Sequence, residues 1–297
     1  MNRTPLVEIP LAGRTFRLKC EQLQPIGVFK LRGAYTAVAR LGDRRRTGIV
    51  TASSGNHGLA IAWSAKAFGV RAIVVMPETA ARIKVETVRR LGGEVVFAGR
   101  TRSPEQGARA EAIAAAEGLN LIPPFDHPDV IAGQATCGLE ILEDAPDVDT
   151  ILVPTGGGGL LAGISAAVSA LKPSVRVIGV EPEGAAKLSA ALAQGKPVTL
   201  ERTESLADGL LTRAIGDLTW QVIRPVVREA VRVTEVEIGL AVKHLYRQVQ
   251  VVVEPSGAVT TAALLAGRVS LDGSVVAIAT GGNVDPGLFN QLVHESA

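Results

Sequence analysis

Residues 151 to 171 read ILVPTGGGGLLAGISAAVSAL and carry no charged side chain. The stretch is about long enough to cross a bilayer as a single helix. However, Pro154 and the four glycines from Gly156 to Gly159 lie near its start, and consecutive glycines strongly disfavour helix. The order of residues therefore predicts a short buried strand, Ile151 to Val153, followed by a glycine loop and a buried helix, Leu160 to Leu171.

Apolar runs of the same kind recur along the rest of the chain. They are continuous rather than alternating in polarity, which is typical of strands covered on both faces. We predict strands at Gly48 to Thr51, Ala72 to Val75, Val95 to Phe97, Ile151 to Val153, Val177 to Val180 and Val275 to Ala279. Ala-rich segments with helical spacing lie between them, including Leu59 to Phe68, Pro104 to Ala116 and Leu160 to Leu171. This alternation predicts an α/β fold with largely parallel sheets.

The composition excludes several classes of protein. Of the 297 residues, 47% are hydrophobic and 20% are charged, and the formal net charge is only +2. Such a balance is ordinary for a globular protein and gives no basic stripe for nucleic acid or a membrane surface. Cys20 and Cys137 form no CxxC pair, which argues against a zinc site or a disulfide framework. The first ten residues contain no apolar signal segment, so we expect a cytoplasmic protein.

Ligands of parallel α/β sheets bind beyond the carboxyl ends of the strands. Three polar, glycine-bearing loops follow predicted strands: Ser53 to Gly58, Gly156 to Gly159, and Thr280 to Asn283. In the second loop, glycine lets the backbone approach an anion, and the next helix adds positive potential at its N-terminus. A phosphate is the natural guest of such a loop. A flexible turn without a ligand remains an equal alternative from the residues alone.

The other motifs also allow a plain structural interpretation. Ser53 and Asn56 are residue types that cap helices, and His57 is expected to pack in the loop rather than to react. Thr280 to Asn283 can be read as a turn that simply ends a strand. Lys30, beside Phe29, has the pattern of a surface lysine, since covalent catalysis requires a desolvated amine that sequence cannot reveal.

Taken together and in order, the motifs resemble those of a known family. They are Phe29-Lys30-Leu31-Arg32-Gly33-Ala34, Ser53-Ser54-Gly55-Asn56-His57-Gly58, Ile131 to Thr136, Gly156 to Gly159, Ala207-Asp208-Gly209, Glu254 to Ala258, and Gly281-Gly282-Asn283-Val284-Asp285. This set resembles the fold type II pyridoxal-5'-phosphate (PLP) enzymes, the tryptophan synthase β-like group. Within them it is most similar to the serine/threonine dehydratases and serine racemases. The resemblance covers nearly the whole chain.

The resemblance implies two open α/β domains with the cofactor between them. A small domain, residues 48 to 125, would be inserted into a large domain made of residues 1 to 47 and 126 to 297. Lys30 would be the Schiff-base lysine, Asn56 would bind the 3'-oxygen of PLP, and Thr280 would meet the pyridine nitrogen. Residues 156 to 159, namely Gly156, Gly157, Gly158 and Gly159, would cup the phosphate.

The resemblance also assigns a place for an amino-acid substrate. Its carboxylate would be held by Ser53, Ser54, Gly55 and His57. Lys30, once released, would act as base at Cα, with PLP as the electron sink. The resemblance further implies a homodimer.

Two positions depart from the family pattern. Val28 stands where the family usually has Ser, which removes a hydroxyl beside Lys30. In the family's divalent-cation site, Glu181 matches and Ala185 could supply a carbonyl, but Lys187 stands where an acid is expected. A lysine ammonium has donors and no acceptor, so we expect no metal ligands here. Either the charge of Lys187 replaces the cation beside Glu181, or Lys187 is a solvated lysine.

Three functions stay open at this point. The first is a PLP-dependent L-serine/L-threonine dehydratase, a lyase that forms a 2-oxo acid and ammonia. The second is a serine or other amino-acid racemase, in which Ser54 would exchange a proton on the face of Cα opposite Lys30. The third is a PLP-binding homologue without turnover, suggested by the changes at Val28 and Lys187. We favour the dehydratase.

Overall fold

The structure is a computed structural model that describes residues 1–53, 55–80, 82–100 and 104–294. The chain forms two compact units. The first contains Met1 and residues 30 to 133, and the second contains residues 2 to 29 and 134 to 297. The boundaries of 48 and 125 implied by the family resemblance remain a prediction.

Strands alternate with helices along the chain. The strands are β1 (Leu6–Leu11), β2 (Arg14–Cys20), β3 (Ile49–Ala52), β4 (Ala72–Met76), β5 (Glu94–Phe97), β6 (Asn120–Leu121), β7 (Thr150–Pro154), β8 (Arg176–Pro182), β9 (Glu229–Val233) and β10 (Val275–Ala279). The helices are α1 (Lys30–Arg40), α2 (Asn56–Phe68), α3 (Arg82–Arg90), α4 (Pro104–Glu117), α5 (Pro128–Asp144), α6 (Gly159–Leu171), α7 (Lys187–Gln194), α8 (Asp217–Ile223), α9 (Glu235–Val249), α10 (Pro255–Leu265) and α11 (Pro286–His294).

The first unit contains a parallel sheet of four strands in the order β5-β4-β3-β6. Apolar side chains of β3 and β4 pack against α4, with Val50, Ile73 and Ile113 all buried. Successive residues of β3 and β4 are buried, so both faces of these strands are covered, which explains why their sequences are continuous apolar runs.

The second unit contains a sheet of six strands in the order β1-β2-β10-β7-β8-β9. All neighbouring pairs are parallel except β1 with β2, which form an antiparallel pair at one edge. The central strands are fully buried, and α9 and α10 contribute to the core beside them. The α/β fold with largely parallel sheets is thus confirmed.

All six predicted strands are present, and the described parts of the chain contain four more, β1, β2, β6 and β9. In β9, Val231 and Val233 are buried while Arg232 between them is exposed, because this strand lies at the edge of its sheet. The hairpin of β1 and β2 is likewise polar in part, and β6 has only two residues. A search for continuous apolar runs does not detect strands with this alternating pattern.

Residues 151 to 171 fold as predicted, with β7 ending at Pro154 and α6 beginning at Gly159. The glycines separate the strand from the helix, so the stretch does not form one continuous helix. Across the described residues, we find no helix whose length and apolarity would allow it to cross a membrane.

Candidate active site

The carboxyl ends of three neighbouring strands carry the loops of interest in the second unit. The glycine loop follows β7, Thr280 follows β10 on one side of it, and Glu183 to Ala185 follow β8 on the other. Because β10, β7 and β8 are parallel neighbours, these loops emerge at the same edge of the sheet. In the first unit, the Ser53 to Gly58 loop follows β3 in the same way.

The glycine loop is closely packed on its protein side. Gly158 has a φ of 94°, and a Cβ there would lie 2.9 Å from Cδ1 of Ile223 and 3.0 Å from Oγ1 of Thr219. The carbonyl of Gly157 accepts hydrogen bonds from Gly216 N (3.1 Å) and Thr219 Oγ1 (2.9 Å). Neighbouring groups therefore hold the loop in one conformation, and only glycine suits it at position 158.

The same loop suits an anion on its open side. The first N–H groups of α6 have no acceptor within the helix, and the dipole of the helix places positive potential at this end. No Cβ on the four glycines shields these groups. A Cβ at Gly156 would lie 3.3 Å from the carbonyl oxygen of Gly209, so a larger residue would crowd the cradle. The residues present fit a phosphate group.

Thr280, beyond the end of β10, is nearly fully buried and belongs to the same network. Its Oγ1 donates to the carbonyl of Ser256 (3.3 Å), and Ser256 Oγ accepts from the backbone N–H of Gly209 (2.9 Å). Since Gly209 also adjoins Gly156, the glycine loop and Thr280 are connected through two intervening segments, the Asp208–Leu210 turn and the start of α10. The interpretation of Thr280 as only a strand-ending turn does not explain this burial.

Lys30 is the first residue of α1 and is half-buried. Its Nζ donates a hydrogen bond to the carbonyl of Pro124 (2.7 Å). Partial burial of the stem is also compatible with a surface lysine, so the role of Lys30 remains a prediction. The bond to Pro124 fixes the position of the amine within the first unit.

The Ser53 to Gly58 loop contains a helix cap. Ser53 Oγ accepts from the backbone N–H groups of Gly58 (3.0 Å) and Gly55 (3.3 Å) at the start of α2. Asn56 is the first residue of that helix. The capping interpretation thus accounts for the hydroxyl of Ser53, while the backbone of the loop still presents a helix N-terminus. Ser54 lies outside the described residues.

His57 is fully buried, and its Nε2 lies 3.1 Å from the carbonyl of Ile122. That contact assigns the proton to Nε2, and Nδ1 has no hydrogen-bond partner among the described residues. Burial, and secondarily the charge of Lys30, lower the pKa of His57 to about 3. The side chain is therefore neutral, as expected for a residue that packs in the loop.

The structure adds a residue that the sequence did not indicate. Lys84, in α3, places its Nζ 3.5 Å from the position that a Cβ on Gly55 would occupy. An ammonium is thus held over the start of α2, where the helix dipole is also positive. Nothing in the local sequence of Lys84 distinguishes it from the basic residues around it.

Lys187 and Glu181 are both fully buried. Lys187 Nζ donates to the carbonyls of Ala185 and Leu210, each at 2.8 Å. The oxygens of Glu181 accept from the backbone N–H groups of Leu188 and Ser189, again at 2.8 Å. Burial lowers the pKa of Lys187 to about 8, while Glu181 opposes this shift. The interpretation of Lys187 as a solvated lysine is wrong.

The divalent-cation site implied by the resemblance does not fit these residues. Both carbonyls that could ligate a cation already accept from the Lys187 ammonium. In the described parts of the chain, no group of three or more His, Cys, Asp or Glu side chains is arranged to hold a metal.

A glycine loop that opens a helix at the carboxyl edge of a parallel sheet is the place where α/β proteins bind the phosphates of nucleotides and cofactors. The chain belongs to the pyridoxal-phosphate dependent enzyme family, whose model matches residues 1–281. It is 40% identical to the L-threonine ammonia-lyase of Thermotoga maritima, over 96% of this chain and 71% of that one. It is 39% identical to the serine racemase of Arabidopsis thaliana, over 97% of this chain and 89% of that one.

Solved structures agree with this assignment. The processed form of threonine deaminase isoform 2 from Solanum lycopersicum superposes with a TM-score of 0.91 at 35% identity, covering 98% of this chain and 87% of that one. The family and the fold type II PLP fold are confirmed, and PLP is the cofactor of the family. The roles of the individual residues remain predictions.

Proposed function

We propose that this protein is a PLP-dependent lyase that deaminates L-serine or L-threonine by loss of the β-hydroxyl. The observation that carries the proposal is the hydroxyl of Thr280, which is buried and connected through Ser256 and Gly209 to the glycine loop. We expect this hydroxyl, and not a carboxylate, to be the partner of the pyridine nitrogen. A hydroxyl does not stabilise a protonated pyridine by charge. With PLP bound, an uncharged partner at the pyridine nitrogen would weaken the electron sink, which would favour loss of the β-substituent.

Each group of site residues would have a separate role. Gly156 to Gly159 would hold the phosphate through backbone N–H groups. Lys30 would attach the cofactor through Nζ and, when released, remove the proton from Cα of the substrate. PLP when bound supplies the electron sink. The start of α2, with Ser53 to His57, would bind the substrate carboxylate, and Asn56 the 3'-oxygen of PLP.

The net reaction is balanced without a further reactant. Loss of the Cα proton and of the β-hydroxyl releases water and an enamine. The enamine takes up water again and releases ammonia, leaving pyruvate from serine or 2-oxobutyrate from threonine. No oxidant, reductant or metal ion enters this sequence.

A racemase is the second candidate. Ser54 is the observation that favours it, since racemisation needs a second proton donor on the opposite face of Cα. The resemblance to a plant serine racemase at 39% identity keeps it open. A PLP-binding homologue without turnover is the third candidate.

The experiment that separates the candidates combines two measurements on the same holoenzyme. A coupled assay follows pyruvate and 2-oxobutyrate, and chiral analysis follows D-serine in recovered substrate. The proposal expects 2-oxo acid to form faster than the D-amino acid with wild type and with Ser54→Ala. D-serine forming much faster than pyruvate would establish the racemase, and neither product would favour the homologue without turnover.

Attachment of the cofactor is tested separately. Wild type incubated with PLP should show the visible absorbance band of a lysine imine, and Lys30→Ala should lack it. We also propose that the protein is a cytoplasmic homodimer, which light scattering coupled to gel filtration would test for the oligomeric state.

A further inference from the structure

The second unit buries the ammonium of Lys187. It is fully buried at the first residue of α7, where the helix dipole disfavours a positive charge. Two backbone carbonyls, of Ala185 and Leu210, accept its hydrogen bonds at 2.8 Å. Backbone carbonyls and a nearby carboxylate, here Glu181, are also the oxygen ligands that a divalent cation such as Ca²⁺ uses.

We propose that the Lys187 ammonium is a built-in cation that takes the place of a bound divalent metal and holds the Asp208–Leu210 turn against the cofactor cradle. Lys187 is then a positioning residue, because it acts on the cofactor through this turn. The inference rests on the proposed cofactor site at Gly156 to Gly159 and Thr280. It is independent of which amino acid the enzyme converts.

Lys187 excludes a metal from this place. A cation that bound the carbonyl oxygens of Ala185 and Leu210 would approach each to about 2.3–2.6 Å. The ammonium already stands at 2.8 Å from both oxygens, so a metal and Lys187 Nζ would compete for one position. Charge repulsion adds to the steric conflict.

The Asp208–Leu210 turn connects Lys187 to the glycine cradle. Leu210, which accepts from Lys187, follows Gly209 in the same turn. The Gly209 carbonyl oxygen and the Leu210 Cα lie 3.3 Å and 3.6 Å from the place of a Cβ on Gly156. The turn is therefore the wall against which the first glycine of the cradle packs.

The same turn also reaches Thr280. Gly209 N donates to Ser256 Oγ (2.9 Å), and the carbonyl of Ser256 accepts from Thr280 Oγ1 (3.3 Å). Releasing the turn from Lys187 should therefore loosen both the phosphate cradle and the Thr280 hydroxyl. Removal of the ammonium also leaves two buried carbonyls without a donor, which by itself lowers the free energy of unfolding.

The wild-type protein provides the first test. Purified holoenzyme is analysed for bound metals, and the melting temperature and the PLP affinity are measured with and without EDTA at neutral pH. We expect less than 0.1 equivalent of Mg²⁺ or Ca²⁺ and no change on chelation, as an order-of-magnitude bound for an empty site. One tightly bound equivalent whose removal lowers the melting temperature would overturn the proposal.

A pair of matched variants tests the link to the cofactor. Lys187→Met removes the ammonium and keeps an unbranched side chain. Lys172→Met is the control, because Lys172 Nζ also donates to two backbone carbonyls, of Pro146 (2.6 Å) and Val148 (2.8 Å), away from the cradle. We expect PLP affinity to fall about tenfold or more in Lys187→Met, the equivalent of about 1.4 kcal/mol, and less than about twofold in Lys172→Met. Equal effects would contradict a positioning role.

A third variant tests the replacement of the metal and remains informative if Lys187→Met does not fold. In Lys187→Glu the carboxylate oxygens would lie near the place of the lysine Cε, so a cation bound beyond them would fall between the two carbonyls. We expect Mg²⁺ or Ca²⁺ to raise the melting temperature and the PLP affinity of this variant and to leave wild type unchanged. No response of Lys187→Glu to either cation would contradict the replacement.

None of these measurements uses substrate turnover. A protein that forms no 2-oxo acid but shows these cation and PLP responses would refute the proposed function and support the role of Lys187. A protein that forms 2-oxo acid but holds a tightly bound metal would support the proposed function and refute the role of Lys187.

Discussion

The backbone N–H of Phe29 donates a hydrogen bond to the carbonyl of Thr280 at 2.9 Å. One residue earlier, Val28 pairs with Gly281 in an isolated antiparallel bridge. Because Lys30 directly follows Phe29, these bonds fix the chain that leads into the lysine against the loop after β10. The local backbone therefore depends on a contact between two ends of the sequence.

Val28 should influence the reaction rate more than cofactor attachment. Its side chain is fully buried, and Cγ2 lies 3.1 Å from the place of a Cβ on Gly281. Val28→Ser and Val28→Ala both remove this packing, which costs about 2 kcal/mol in the free energy of unfolding. We expect both variants to bind PLP, and Val28→Ser to have the higher kcat because only it restores a hydroxyl beside Lys30. Denaturation curves, absorbance titration and the coupled assay measure these quantities. Equal kcat values would show that the hydroxyl has no role.

The conformation of Gly158 should be essential for the phosphate cradle. Gly158→Ala combines a positive φ with contacts of 2.9 Å and 3.0 Å to neighbouring side chains. Gly195 has a φ of 70°, and no atom of the described residues lies within 4 Å of its Cβ position. Both variants carry the backbone cost of about 1–2 kcal/mol. Only Gly158→Ala adds overpacking, on the order of 1–3 kcal/mol. We expect PLP affinity to fall at least about tenfold in Gly158→Ala and to be unchanged in Gly195→Ala.

Equilibrium titration of each variant with PLP, together with thermal melts of the apo forms, checks this prediction. Unchanged PLP affinity in Gly158→Ala would mean that the cradle adapts to a side chain, and would remove the support for a phosphate at this loop.

His57 should make the stability of the protein decrease in acid. Its pKa is about 3 when folded and near 6.5 in the unfolded chain, so the unfolded state binds more protons between these values. The free energy of unfolding therefore falls as the pH falls from 6.5 towards 3, by up to about 1.4 kcal/mol for each pH unit from this group. At and above pH 7 the contribution of His57 to the free energy of unfolding is fully present.

Urea denaturation of wild type and His57→Gln across this pH range isolates the contribution of His57. The variant keeps an N–H donor and does not titrate, so its stability should depend less steeply on pH than that of wild type. Parallel pH profiles for the two proteins would contradict the assignment of His57 as a buried neutral side chain.

Lys84 should strengthen the binding of the substrate carboxylate. Its Nζ stands over Gly55 at the start of α2, where the carboxylate is proposed to bind. We expect Lys84→Met to raise KM for serine or threonine about fivefold, the equivalent of about 1 kcal/mol, with kcat changed less. The difference from wild type should shrink at high ionic strength. Lys66→Met, at an exposed position of α2, is the control and should keep the wild-type KM.

Much of the fold could be predicted from the residues in order. The continuous apolar runs, such as Val275 to Ala279, are buried on both faces and lie in parallel sheets as expected. The four glycines after β7 separate strand from helix as predicted. Edge strands such as β9 were missed because one face of each is exposed, which breaks the continuous pattern.

The sequence by itself determined the α/β class, the family and the order of the loops, because alternating elements and closely spaced motifs are local properties of the chain. Only the tertiary structure decided which polar groups are buried together. The sequence left two interpretations of Lys187 open and gave no sign of Lys84. In the structure Lys187 is buried and donates to two carbonyls, and Lys84 lies over the start of α2. Burial and hydrogen bonding depend on segments far apart in the chain. For Lys30, the sequence predicts the attachment point, and the hydrogen bond to Pro124 decided where the amine lies within the first unit.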